Sequence, residues 1–342
     1  MKKFSRREFI PLAGLTLLSA SCISANSKAN LLQQTKRTPK KLSKGDTIGV
    51  CAPAGAIKHT SEIDDFTHVL ENLGFKVKMS PNVGGRFGYF SGTDEERAED
   101  FMTLIKDDSI SGIFFIRGGW GAARILEHLD FDVIRDNPKV IMGFSDITTL
   151  LNVITTKCDL ITFHGPGGNS SWNTYSVDYI KRLLMKAENV TFENHQEDPI
   201  IKTLSPGKAF GELFGGNLSV LSGLMGSEYI PNLEGKILFL EDVMEEPYRI
   251  DRMLTQLRLA SVFDQAEGIV LGAFRKCVPE EPEYSFTLEE VFEQHFKGFN
   301  KPVFSGAQFG HTKNKFTLPV GAEVEIDAEK GTIQMLGAAV HH

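Results

Sequence analysis

Lys139-Val140-Ile141-Met142-Gly143-Phe144-Ser145-Asp146-Ile147 is a short apolar run that stops at a glycine and passes at once into the helical pattern of residues 146–155. A short apolar run without polar alternation suits a strand buried on both faces, and such strands belong to parallel sheets covered by helices. The segments upstream repeat the same alternation. Residues 46–52 read as a buried strand stopped by Pro53 and Gly55, 62–73 as a helix ended by Gly74, and 75–79 as a second strand. An acidic amphipathic helix at 93–105, an apolar strand at 112–116 and a helix at 122–129 follow. Strands alternating with helices predict an α/β fold with a doubly wound parallel sheet over residues 44–185.

The pattern changes beyond residue 185. Residues 186–210 are polar, contain Pro199 and Pro206 and keep no sustained period, which predicts an interdomain connection. The remainder, 211–342, opens on a glycine-rich segment at 211–217. It continues with a strand at 236–240, a helix at 248–259, a strand at 268–271 and short runs between glycines. It reads as a mixed α+β C-terminal domain. Two domains also suit a length of 342 residues. Apolar residues at 41% and charged residues at 24% place the chain among globular proteins. A net charge of −7 gives no electrostatic basis for a nucleic-acid partner.

The N-terminus carries Lys2, Lys3, Arg6 and Arg7 ahead of an apolar run at 10–18 that gives way to small residues ending at Cys22. That order is the n-region, h-region and exit of a secretory signal, and the run is well short of the roughly 20 residues of a membrane-spanning helix. Residues 1–22 are therefore expected to be an export signal and 23–43 a tether, which predicts a location in the cell envelope. Ser5-Arg6-Arg7-Glu8-Phe9-Ile10 resembles a twin-arginine signal. Leu18-Ser19-Ala20-Ser21-Cys22 resembles a lipoprotein cleavage box and makes Cys22 a candidate lipid anchor, although Ser19 stands where an aliphatic residue is usual. Cys51, Cys158 and Cys277 show no C-x-x-C spacing, so they suggest neither a metal site nor a disulfide framework and read as buried thiols.

Ser145 lies where an apolar strand turns sharply into a helix, with Gly143 permitting close backbone approach. That placement resembles a nucleophile elbow, in which the N–H of the next residue, Asp146, sits at a helix N-terminus and can donate to a developing oxyanion. Ile147 replaces the second glycine of the G-x-S-x-G pattern, and helix capping by Ser145 and Asp146 is the competing reading. A serine nucleophile needs a base held by a third group. His311, in the glycine-flanked loop after a strand at 302–305, is the candidate base, with a surface histidine as the alternative. Glu241, at the end of the apolar strand, is a candidate orienting carboxylate, but Asp242, Glu245 and Glu246 crowd the same stretch and spacing does not choose among them. Arg117-Gly118-Gly119-Trp120-Gly121 is a glycine-rich turn between strand and helix whose bare N–H groups suit an anion or an oxyanion. It half matches a dinucleotide fingerprint, but Arg124 occupies the place of the third glycine.

Taken in order, Gly49-Val50-Cys51-Ala52-Pro53-Ala54-Gly55, Arg117 to Gly121, Gly143-Phe144-Ser145-Asp146, His164-Gly165-Pro166, Gly215-Gly216-Asn217-Leu218, Leu240-Glu241-Asp242 with Pro247-Tyr248-Arg249-Ile250-Asp251-Arg252, and Gly310-His311 resemble the motifs of the LD-carboxypeptidase family of serine peptidases. That family includes murein tetrapeptide carboxypeptidases and microcin C self-immunity peptidases. The resemblance implies a triad of Ser145, Glu241 and His311, with the serine on the first domain and its partners on the second. It also implies an oxyanion hole formed by the Asp146 N–H and an N–H of Gly118 or Gly119. Trp120 stands where tyrosine is more usual in the family. The implied reaction is release of terminal D-alanine from a muropeptide through an acyl-enzyme, with no cofactor, metal or nucleotide required. Cleavage of a peptidyl-nucleotide antibiotic, with Trp172 as a candidate base-stacking face, and a catalytically silent envelope-binding protein are the alternatives. A homodimer is compatible with the sequence.

Overall fold

The computed structural model describes residues 36–195 and 201–342. The export signal at 1–22, with its twin-arginine pair and Cys22, and the first part of the tether lie outside the described residues.

The first sheet is built from β1 (Thr47–Cys51), β2 (Lys76–Met79), β3 (Ile110–Phe115), β4 (Val140–Gly143) and β5 (Thr162–His164). Its order is β12-β5-β4-β3-β1-β2, with β1 to β5 all parallel. The added edge strand β12 (Leu318–Val320) returns from late in the chain and pairs antiparallel with β5. Every residue of β4 is buried, which explains its unbroken apolar pattern. Helices Ser61–Asn72, Asp94–Lys106 and Thr148–Cys158 connect the strands. The second of these begins at a capping box in which the Thr93 side chain accepts from Glu96 N–H and the Glu96 carboxylate accepts from Thr93 N–H. The segment expected as a helix at 122–129 is a 3-10 helix, Ala122–His128.

The second sheet has the order β6-β14-β13-β8-β9-β10-β11-β7, formed by β6 (Thr191–Phe192), β7 (Lys202–Ser205), β8 (Lys208–Asn217), β9 (Lys236–Val243), β10 (Gly268–Arg275), β11 (Val303–Gly310), β13 (Glu323–Asp327) and β14 (Thr332–Met335). β8 to β11 are parallel and the flanking pairs antiparallel, so the domain is mixed, as expected. The strand period of two divides its side chains between two cores. Ile237 and Phe239 of β9 join the core shared with the first sheet, whereas Leu238 and Leu240 face a second core with helices Leu218–Leu224, Pro247–Leu259 and Leu288–Phe296.

Two expectations are corrected here. Residues 186–210 are not simply a connection, because they supply β6, β7 and the first residues of β8. Their polarity reflects edge strands whose outward residues meet water, such as Lys202 and Thr203. Residues 36–43, expected in the tether, lie against the body: Arg37 N–H donates to Asp159 O, Arg37 O accepts from Ile161 N–H at 2.9 Å, and Leu42 is fully buried.

Candidate active site

β4 ends at Gly143, and the chain reverses through Ser145, whose φ of 64° is a left-handed conformation rare for a residue with a side chain. Such a turn costs of order 1–3 kcal/mol and lifts Ser145 out of the sheet end, the geometry of an elbow rather than of an N-cap. Ser145 is not the cap of the helix, since no side-chain capping bond is made at the entry to Ser145–Ile147 or to Thr148–Cys158.

The turn after β3 packs directly on this elbow. A Cβ placed on Gly118 would lie 2.9 Å from Ser145 Cβ and 3.2 Å from Asp146 N, so only glycine permits the approach. The N–H groups of Gly118 and Gly119 make no hydrogen bond among the described residues. Two polar contacts fix the turn. Gly118 O accepts from Gly55 N–H at 2.9 Å, and the Asp146 carboxylate accepts from Ala122 N–H at 2.7 Å. Burial raises the Asp146 carboxyl above its ordinary range, opposed by the Ala122 N–H and by Arg97.

Glu241 shares strand parity with Ile237 and Phe239, so it faces the first domain, while Asp242 faces the opposite side of the sheet. The Glu241 carboxylate is fully buried. Its Oε2 meets His311 Nδ1 at 2.6 Å and accepts from His311 N–H at 3.2 Å; its Oε1 accepts from Asn217 Nδ2 at 3.2 Å. Burial pushes this carboxyl up, but the hydrogen bond and charge of His311, with His164 and Asn217, more than offset it and hold it below the ordinary range. His311 follows Gly310, whose φ is 86° and where a Cβ would overlap the Glu241 carboxylate. Ser145 and His311 line one cavity of about 710 Å³, together with Gly118 and Gly119. The His311 ring lies 4.9 Å from that of Phe144, the residue before the serine.

The two halves are locked together through β8. The Asn152 amide donates to Gly215 O at 2.8 Å and accepts from Gly215 N–H at 3.1 Å, and Thr148 Oγ1 accepts from Asn217 N–H at 3.0 Å. Both side chains belong to the helix that follows Ser145, so the elbow is tied to the strand that bears the Glu241 partner. Asn217 is a residue that sequence reasoning quoted within a motif without giving it a role. Its Oδ1 caps helix Leu218–Leu224 by accepting from Val220 N–H at 3.2 Å, and its Nδ2 also donates to Asp242 Oδ1 at 3.1 Å. An asparagine ahead of a helical run was the available signal. Asp242 accepts from Ser219 N–H as well, and burial, with the adjacent Glu241 charge, pushes its carboxyl up to about 6. Glu245 and Glu246 take no part in this network: Glu245 pairs with Arg249 at 3.7 Å and Glu246 accepts from Glu280 N–H.

Sequence reasoning gave no role to the basic side chains of the cavity wall: Arg117, quoted only as the start of the glycine-rich turn, lines it with Arg275, Lys313 and Lys315. His164, behind the pair, is buried among Phe144, Phe239 and Phe309, and its Nε2 has no hydrogen-bond partner among the described residues. Burial lowers it to about 4, so it is neutral at pH 7. Trp172 packs on Phe66 at 5.8 Å and donates its indole N–H to Gly167 O at 3.0 Å, whereas Trp120 is 51% exposed. Cys51, Cys158 and Cys277 are free and buried, and burial pushes Cys158 to about 12 and Cys277 to about 11, which leaves these thiols inert near neutral pH.

A strained serine packed against a glycine turn with bare amides, sharing a cavity with a histidine held by a buried carboxylate, is the arrangement that serine-type hydrolases use. The chain belongs to the LD-carboxypeptidase family: the model of that family's N-terminal domain matches residues 48–165 and the model of its C-terminal domain matches residues 210–326. It is accordingly a serine-type carboxypeptidase. It is 37% identical over 304 residues to a probable murein peptide carboxypeptidase of Bacillus subtilis, covering 88% of this chain and 95% of that protein. It is 34% identical over 327 residues to the microcin C7 self-immunity protein MccF of Escherichia coli, covering 86% of this chain and 94% of that protein. A solved structure of MccF in complex with glutamyl sulfamoyl guanosine superposes with a TM-score of 0.80 at 29% identity, covering 89% of this chain and 99% of that one.

Proposed function

We propose that this protein is an envelope LD-carboxypeptidase that hydrolyses the bond to the terminal D-alanine of murein tetrapeptides. His311 Nε2 takes the Ser145 proton as Oγ attacks the scissile carbonyl, and Glu241 holds Nδ1–H and stabilises the imidazolium. The oxyanion is held by the Asp146 N–H and an N–H of Gly118 or Gly119, each worth about 2.7–4 kcal/mol in the transition state. His311 then protonates the leaving amine of D-alanine, and water, deprotonated by His311, releases the acyl group from Ser145. The observation that carries this reading is the 2.6 Å His311–Glu241 contact, made beside the cavity that His311 shares with Ser145. The secretory pattern of residues 1–22 supports action outside the cytoplasm, where murein lies.

The test is incubation of the purified protein with a murein tetrapeptide, with free D-alanine read by mass spectrometry beside Ser145→Ala. Release by the wild type and a loss of at least about a thousandfold in the variant are expected. Unchanged release by the variant refutes the Ser145 assignment. A second reading, cleavage of a peptidyl nucleotide, is favoured by one feature: the exposed Trp120 ring beside Gly119, which offers a face for a nucleobase. Hydrolysis of such a nucleotide conjugate without hydrolysis of the tetrapeptide would establish it instead.

A further inference from the structure

The cavity holding Ser145 and His311 is lined by Arg117, Arg275, Lys313 and Lys315, and by no carboxylate among the described residues. The four cations differ in what they already hold. Arg117 faces Glu62 at 3.5 Å, while Arg275 and Lys313 are exposed, so water and salt screen them. Lys315 is 4% exposed, and its Nζ has no hydrogen bond or ion pair among the described residues. It sits instead 4.5 Å from the centroid of the Phe144 ring, the same ring that lies against His311. The buried Glu241 carboxylate, whose charge favours the Lys315 ammonium, is committed by its hydrogen bonds to His311 and Asn217.

A desolvated ammonium without an ion-pair partner is costly to maintain, and its cavity is where an anion gains most from it. The loop that bears Lys315 is fixed on both sides: Lys315 N–H donates to Ser176 Oγ at 3.1 Å and Phe316 N–H to Gln308 O at 2.9 Å. The ammonium is thus held beside the residue before the nucleophile. In a peptide cut at its last bond, the terminal carboxylate lies only a few bonds beyond the scissile carbonyl.

We infer that Lys315 is the anchor for the substrate's terminal carboxylate, the group that makes this site an exopeptidase. This rests on the proposed reading that the last peptide bond is the one cleaved. Lys315 touches substrate but moves no proton, so it acts on binding and leaves the triad's chemistry alone. Val243 and Met244 at the cavity wall are apolar and compete for no charge.

The test compares the murein tetrapeptide with the same peptide ending in D-alaninamide. Binding of both to the full-length Ser145→Ala protein is measured by calorimetry, with and without Lys315→Met, and hydrolysis is followed in the wild-type and Lys315→Met enzymes. The acid is expected to bind at least tenfold tighter than the amide, the scale of a charge-assisted contact. Lys315→Met should erase that preference and raise KM for the acid at least tenfold with kcat within a few-fold, and Lys315→Arg should restore most of it. Melting temperatures near the parent's show the variants to be folded, and Lys315→Gln serves if Lys315→Met is not. Preference that survives Lys315→Met, preference lost only in Arg275→Ala, a fall in kcat with KM unchanged, or no peptide binding at all overturns the anchor. Failure of the functional reading shows separately, as a wild-type enzyme that binds the acid and releases no D-alanine.

Discussion

Replacing Glu241 by glutamine keeps the shape of the side chain and exchanges one acceptor for a donor, at a position where each hydrogen-bond partner among the described residues is itself a donor. Oε2 takes His311 N–H at 3.2 Å and His311 Nδ1 at 2.6 Å, and Oε1 takes Asn217 Nδ2 at 3.2 Å. The new amide has two placements. With its NH2 toward Asn217, two donors oppose each other, and Asn217 cannot turn, because its Oδ1 is occupied by Val220 N–H and by the Ser219 hydroxyl at 2.7 Å. With its NH2 toward His311, Nδ1 must become an acceptor, the ring carries its proton on Nε2, and that nitrogen can no longer accept from Ser145. Either placement costs about 1–3 kcal/mol for the unmet buried group. The second adds loss of the base, for which the corresponding change in another serine protease triad lowers kcat by about 10⁴. We expect Glu241→Gln to retain its fold, melt several degrees lower and lose about 10³–10⁴ in kcat. D-alanine release gives the rate, and nitrogen NMR of the His311 ring gives the tautomer. Asp242 supplies an independent readout: with the adjacent charge gone, its carboxyl should titrate below about 6. A folded variant with kcat within tenfold of wild type would refute the orienting role of Glu241.

Gly118→Ala places a methyl 2.9 Å from Ser145 Cβ and 3.2 Å from Asp146 N, and should lower kcat at least about a hundredfold by disturbing the oxyanion amides. Steady-state kinetics with circular dichroism distinguishes this from unfolding, and near-normal kcat would exclude that turn from the site. Asn152→Ala strands both the N–H and the C=O of Gly215 and should cost about 2–4 kcal/mol in urea unfolding; an unchanged midpoint would contradict the clamp. His164 has an ordinary value of 6.5 and a folded value of about 4. Below pH 6.5 the unfolded chain binds more protons at this group, so its contribution to stability falls as pH drops toward 4, by about 3 kcal/mol in all. His164→Phe, in its aromatic surroundings, should flatten that part of the stability profile, whatever its effect at pH 7. An unaltered slope would show that His164 is not its source.

The elements that buried both faces were legible in the sequence. β1, β3, β4, β9 and β10 appear as apolar runs, and the helices at Ser61–Asn72 and Asp94–Lys106 announce themselves by their period, the second also by its acidic character. The strands β5, β6, β7 and β12 were not, because each is short and none stands in an unbroken apolar run like that of β4 or next to a helix stop like the Gly74 ahead of β2. The alternation that separates Glu241 from Asp242 was present in Ile237-Leu238-Phe239-Leu240, but it becomes a choice only when one face is known to meet the first domain.

The sequence by itself determined that a serine stands at a strand-to-helix turn and that a glycine-rich turn precedes it, since both depend on backbone preferences of adjacent residues. It did not determine that the Gly118 turn rests on Ser145, that Asn217 joins two carboxylates, or that Lys315 is stripped of water inside the cavity. Those follow from segments as far apart as Phe144 and Lys315 meeting in space, and burial and pairing exist only once the chain has brought them together.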